Sequence, residues 1–226
     1  MIFADRIEAG RSLAWRLDKY AGRDDVIVLG VPRGGVPVAS EVAKVLHAPL
    51  DVFLLRKLGV PGQEELAFGA IASGGVRVLD RQTVRALAIS DSDIAAITAR
   101  EQKELQRREQ LYRGSRPALS AAGKIVILVD DGIATGASML AGIRALRQLH
   151  PAKIVIAVPV APSATCKRMA NEVDELVCVA APDPFYAVGR FYDDFSQVED
   201  EQVIELLAQN YDSAVPVRHD RPEVLQ

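Results

Sequence analysis

A chain of 226 residues is long enough to bury a full hydrophobic core and short enough to be one principal domain. With 49% apolar residues, 25% charged residues and a net charge of -3, its composition gives no footing to nucleic-acid or membrane-surface binding driven by bulk charge. Its opening, Met1-Ile2-Phe3-Ala4-Asp5-Arg6, mixes acid and base where a signal peptide needs an apolar run, and no later run approaches a membrane span, so a cytoplasmic protein is expected.

Asp5 is a candidate helix N-cap, and Ile7, Leu13, Ala14 and Leu17 recur behind it at helical spacing, which predicts an amphipathic opening helix in which Trp15 packs. The continuous apolar run 26–31 reads as a strand buried on both faces. After the turn Pro32-Arg33-Gly34-Gly35, residues 36–46 read as a helix and 51–55 as a strand, a unit that seeds a parallel sheet. Residues 57–75 hold Gly59, Pro61, Gly62, Gly69, Gly74 and Gly75 among acidic residues and are expected as a long mobile lid loop leading into a short hairpin. Residues 91–112 read as a polar helix. Its pairs Glu104/Arg108 and Glu109/Arg113, four apart with the acid first, suit a solvated face better than a nucleic-acid patch.

The alternation then resumes with strand 124–129, helix 136–149, strand 154–160, helix 163–171 and strand 175–180. This order predicts an α/β fold, doubly wound around a mainly parallel sheet with helices on both faces. Residues 181–198 gather Phe185, Tyr186, Phe191, Tyr192 and Phe195 into an irregular stretch, either a ligand-facing hood or a tail packed on the sheet. A last helix over 199–210 closes a single domain spanning 1–215, and 216–226 is expected to fray. Cys166 and Cys178 form no Cys-x-x-Cys pair and have no histidine at zinc-ligand spacing, so they read as free thiols. His47, His150 and His219 lie in separate segments, two of them at expected helix ends, where a cationic ring is favoured.

The chemistry concentrates after strand 124–129. Asp130-Asp131 fall at its carboxyl end, where open α/β sheets place ligands, and neighbouring carboxylates raise each other's pKa, so something must offset their cost. Gly132-Ile133-Ala134-Thr135-Gly136-Ala137-Ser138 then supplies small residues and two hydroxyls just before a helix, so main-chain N–H groups can converge on an anion. A sugar phosphate suits both halves, its hydroxyls on the carboxylates and its phosphate in the loop. A Walker loop would need a lysine, a dinucleotide fingerprint a different glycine spacing, and a nucleophile elbow glycines two residues either side of Ser138.

Residues 127–139, an apolar run, two acids, then Thr-Gly and a small-residue helix start, resemble the donor-binding signature of type I phosphoribosyltransferases. At fold level the similarity covers about 26–180. It implies a sheet of that family's kind with a small hood and lid. It also implies Mg2+-dependent transfer of a phosphoribosyl group from 5-phosphoribosyl 1-pyrophosphate to a nitrogenous base or related acceptor. The ion would be bound mainly through the donor, with no direct protein cage. Asp130 and Asp131 would then take the ribose hydroxyls, and the metal only through water, while 132–138 would hold the 5-phosphate. Arg33, Gly34 and Gly35 would form the pyrophosphate loop, and Arg56 and Lys57 would begin the basic lid.

Relatives acting on 6-oxopurines carry an aspartate where this chain has Ala134, so the pattern leans to the adenine type. Glu64 and Glu65 are candidate proton acceptors, and Phe185 and Tyr186 candidate stacking partners for a planar acceptor. A homodimer is a family-level expectation; neither a membrane nor a nucleic-acid partner is expected. The alternative on the same fold is a non-catalytic sensor of the donor or of nucleotides, whose contact surface would be the basic stretch 100–113.

Overall fold

The computed structural model describes residues 3–214, and of Glu65 and residues 212–214 the backbone alone; the expected tail 216–226 and His219 lie outside the described residues. Helix α1 (Arg6–Arg16) starts where Asp5 accepts hydrogen bonds from the Ile7 and Glu8 N–H groups, both at 2.8 Å, satisfying donors that a helix start leaves orphaned. Trp15, expected to pack, is instead 80% exposed. Ala9, Gly10, Leu13 and Ala14 already form the buried stripe, and position 15 is turned away from it at about 100° per residue.

Strand β1 (Val26–Gly30), helix α2 (Gly35–Leu46) and strand β2 (Leu50–Val52) form the expected crossover unit. Residues 57–75 require a correction, because most of this stretch is ordered antiparallel sheet: β3 (Leu55–Val60), β4 (Gln63–Ala72) and β5 (Val76–Leu79) make a three-stranded meander. The glycines that read as loop serve the strands. Gly74 and Gly75, in the three-residue turn between the paired Ala72 and Val76, both have positive φ, and a Cβ on Gly69 would lie 2.5 Å from the Val78 carbonyl oxygen of the neighbouring strand. Helices α3 (Arg81–Ala86) and α4 (Asp91–Arg113) follow.

The chain completes its sheet with β6 (Ile125–Val129), α5 (Ala137–Arg147), β7 (Lys153–Val160), α6 (Ser163–Ala170) and β8 (Glu175–Ala180), and α7 (Asp200–Ala214) ends the described residues. The main sheet is parallel throughout, in the order β2-β1-β6-β7-β8. Alternate residues of each central strand feed opposite faces. Val26, Val28, Ile127 and Val155 join a core with residues of α1, α2 and α7, while Ile27, Leu29, Leu128 and Ile156 join one with residues of α5. That two-faced burial is why these strands read as unbroken apolar runs. The winding direction reverses between β1 and β6, and in such sheets the crevice beyond the strand ends at that point is the ligand site.

Candidate active site

Gly30 and Val129 pair in register across β1 and β6, so the segments that follow them leave the sheet side by side. The Val31 N–H donates to the Val129 carbonyl at 2.9 Å, and the next peptide, Pro32-Arg33, is cis. The turn then presses against the acids. A Cβ on Gly34 would lie 2.0 Å from Asp131 Oδ2, and one on Gly35 would lie 2.8 Å from the Asp130 Cα. The fold therefore brings Gly34 and Gly35 against Asp131 and Asp130.

Beyond the acids, Gly136 takes a left-handed conformation (φ 74°) and caps α5, with no side chain bonded to the N–H groups of the first turn. Those donors, with the positive end of the helix, suit an anion. Thr135, Ala137 and Ser138 are exposed at this end, while Gly136 is buried. The loop is anchored from behind: the Thr165 hydroxyl donates to the Ala134 carbonyl at 2.9 Å, the Arg168 guanidinium to the Thr135 carbonyl, and the Ile133 N–H to the Val160 carbonyl at 2.9 Å. Gly132 is required by another neighbour, since a Cβ there would meet the Val188 side chain at 2.4 Å.

Burial and then the neighbouring Asp131 charge push the Asp130 carboxyl well above the ordinary range, and only the Asp131 N–H, donating to Asp130 Oδ1 at 2.9 Å, and the more distant Arg6 oppose them. Burial also raises Asp131, against the pull of Arg6, whose Nε donates to Asp131 Oδ2 at 2.9 Å. Tyr192 donates its hydroxyl to the Asp131 main-chain carbonyl at 2.5 Å, and burial followed by the Asp131 charge holds that phenol far above its usual value. Among the described residues, no group of three or more His, Cys, Asp or Glu is gathered in a way that would hold a metal ion.

A cleft of about 780 Å³ opens between Asp130, the start of α5, the β3–β4 hairpin and α4, with Pro32, Phe53, Lys57, Ser138 and Met139 also among its lining. Arg56 also lines it but is engaged: Nε and Nη2 donate to Glu101 Oε2 at 2.9 and 2.5 Å, and Arg100 donates to the other oxygen of Glu101 at 3.0 Å. Glu64 faces the cleft as well. Arg33 points towards Glu199, 3.4 Å away, and is about one-third exposed. On α4, Arg107 and Arg108 both bind Glu104, a solvated pairing as expected, whereas Arg113 is buried against Asp51 and Glu109 and is no part of a surface.

The aromatic tail is placed differently from the stacking role expected of it. Phe185 stacks on Phe191 with centroids 5.2 Å apart and packs beside Phe3 and Tyr192, Tyr186 is 82% exposed, and neither ring lines the cleft. Apolar packing beside Phe3 and Tyr192 takes up Phe185, while Tyr186 faces solvent. Arg6, Tyr192, Glu101, Thr165 and Arg168 are the residues that sequence reasoning missed. Their signal is purely tertiary, for each meets its partner from a distant element.

The Phosphoribosyl transferase domain family matches residues 3–196 of the chain. Two Mycobacterium tuberculosis proteins, from strains H37Rv and CDC 1551, both provisionally named as phosphoribosyl transferases, are 48% identical to it over 206 residues, covering 91% of this chain and 46% of each relative. The chain thus spans about half the length of these curated relatives. The crystal structure of TT1426 from Thermus thermophilus is 43% identical, superposes with a TM-score of 0.82, and covers 92% of this chain and 99% of that one.

Proposed function

Because the chain belongs to the phosphoribosyl transferase domain family, we propose that it transfers the phosphoribosyl group of 5-phosphoribosyl 1-pyrophosphate to a nitrogenous base. The observation that carries this reading is the meeting of two glycine-dependent loops at one reversal of the sheet, residues 32–35 after β1 and residues 130–136 after β6, the second bringing both the paired acids and the uncapped start of α5. The donor carries a 5-phosphate and a 1-pyrophosphate with the ribose hydroxyls between them, and the two loops together offer a partner for each. Asp130 and Asp131 accept the ribose hydroxyls. The N–H groups of 135–138 hold the 5-phosphate.

The acceptor nitrogen attacks C1 of the ribose, the bond from C1 to the pyrophosphate oxygen breaks, and C1 inverts through an oxocarbenium-like state. What must be stabilised is the charge on the departing pyrophosphate. Main-chain N–H groups of 33 and 34 and the Arg33 guanidinium supply that, with Lys57 approaching from β3. The acid pair also suits Mg2+ carried in mainly on the donor's oxygens and water; when bound, the ion neutralises the leaving group. Folding the β3–β4 hairpin down over the cleft keeps water from C1. With Ala134 in the loop, no carboxylate is offered at the position where 6-oxopurine enzymes carry one, which favours an acceptor of the adenine type.

The test is incubation of the protein with the donor, Mg2+ and a panel of nitrogenous bases, following pyrophosphate by mass spectrometry. Release that depends on one base supports transfer. Donor binding without acceptor-dependent release across the panel favours a ligand-sensing regulator on the same fold.

A further inference from the structure

Asp131 is not free to turn. Its Oδ2 accepts the Arg6 Nε–H across 125 residues of sequence, with the two side chains only 12% and 14% exposed. Arg6 in turn is steadied by the tail: Nη1 donates to the Ser196 carbonyl at 2.8 Å, and the guanidinium carbon lies 4.0 Å from the centroid of the Phe195 ring and 6.0 Å from that of Tyr192. Tyr192 grips the main chain of Asp131 itself through its hydroxyl. The tail is sewn to the start of the chain by the Phe3 N–H on the Phe191 carbonyl at 2.7 Å, and by the Asp193 and Asp194 N–H groups on the Phe3 and Ala4 carbonyls.

We propose that Arg6, held by residues 191–196, is the positioning residue that fixes Asp131 as a hydroxyl acceptor and so makes the pocket select ribose over deoxyribose; this rests on the reading of the site as a phosphoribosyl pocket. A carboxylate with one oxygen tied to a permanently charged guanidinium aims its other oxygen at a single place. A site aimed at a hydroxyl rejects the analogue that lacks it, because the acid is then left without its partner. A carboxylate free to rotate turns to water instead, and discriminates less. The aromatic tail thus acts on the sugar through Arg6, without touching the ligand.

The experiment is calorimetric titration of the full chain with ribose 5-phosphate and its 2-deoxy and 3-deoxy counterparts, for the wild type, Arg6→Gln and Arg6→Lys. Wild type should prefer ribose 5-phosphate over at least one deoxy ligand by about ten- to a hundredfold, the worth of a hydrogen bond to a charged group. In Arg6→Gln that ratio should fall towards unity, mostly by weaker binding of the ribose form, and Arg6→Lys should restore part of it. A merely structural role would weaken all three ligands together and leave the ratio alone, and that result overturns the proposal. If Arg6→Gln does not fold, Arg6→Lys and Phe195→Leu decide: a ratio unchanged in both overturns it, and a reduced ratio in either supports it. Wild type that binds the pentose phosphates without discrimination overturns this inference alone. Wild type that binds neither them nor the pyrophosphate donor removes the phosphoribosyl reading and this inference with it.

Discussion

Gly34 has ordinary helical dihedrals (φ -61°), so any residue would satisfy its backbone; space alone demands glycine there, a Cβ falling 2.0 Å from Asp131 Oδ2. Gly34→Ala must therefore lift the turn off the acids or push Asp131 away from Arg6, a repacking worth about 1–3 kcal/mol. We expect a folded variant whose affinity for the pyrophosphate donor drops by about tenfold or more, as read by calorimetry. Asp130 supplies a prediction of opposite sign. Burial and the Asp131 charge raise its pKa above the unfolded value, so the fold gains from the bound proton in acid and loses that gain as pH rises through the folded pKa. At neutral pH, above the unfolded value, the fold bears that cost. Asp130→Asn should accordingly raise the melting temperature at pH 7 while abolishing donor binding, and the gain should shrink as melts are repeated towards pH 4. The acid pair was legible because adjacency in sequence brought both carboxylates to one strand end. Arg6 was not, since its partner lies 125 residues away and nothing near Arg6 marks it apart from other helix-start arginines.

Among the elements, those of the main sheet were legible from apolar runs and their spacing, because strands buried on both faces leave an unambiguous trace. The meander of β3, β4 and β5 was not. Its strands carry glycines where neighbouring backbones close in, as at Gly59, where a Cβ would lie 2.7 Å from the Glu64 carbonyl oxygen, and the pairing shifts register at that point. Close backbone approach and loop flexibility use the same residue, so composition alone favoured a loop. The edge of the main sheet is tied down by side chains. Glu175 on β8 accepts from Lys153 of β7 at 2.9 Å and from Lys19 and Tyr20, of the turn after α1, at 2.8 and 2.7 Å. Burial alone would raise the Glu175 carboxyl, but those donors outweigh it and hold it at about 2. A depressed acid stabilises the fold fully above its unfolded pKa and loses that contribution as pH falls towards the folded value. Glu175→Gln should therefore lower the melting temperature by a few degrees at pH 7, with the difference from wild type vanishing between pH 4.5 and about 2. A difference that persists undiminished at pH 2 would mean that packing, and not charge, joins these elements.

At the scale of the molecule, the site is split between parts of unequal rigidity. The turn 32–35 and the acids with residues 132–138 leave the ends of strands buried throughout, β1 and β6, whereas the cleft's outer wall is a hairpin whose tip at 61–64 is exposed. Opening free energy follows buried contact, so the two parts should exchange amide hydrogens on different timescales. We expect the slowest exchange in β1, β6 and β7, and much faster exchange at the hairpin tip. A ligand that only rests on the acids and the helix start would protect 132–138 and leave the tip as it was. A donor over which the hairpin closes must protect both, since the tip's N–H groups then leave solvent while the complex lasts. Exchange measured by mass spectrometry with and without the donor and Mg2+ therefore separates the alternatives. Protection that reaches the tip assigns the exclusion of water to this meander, and protection confined to 132–138 returns that task to the fixed walls of the cleft.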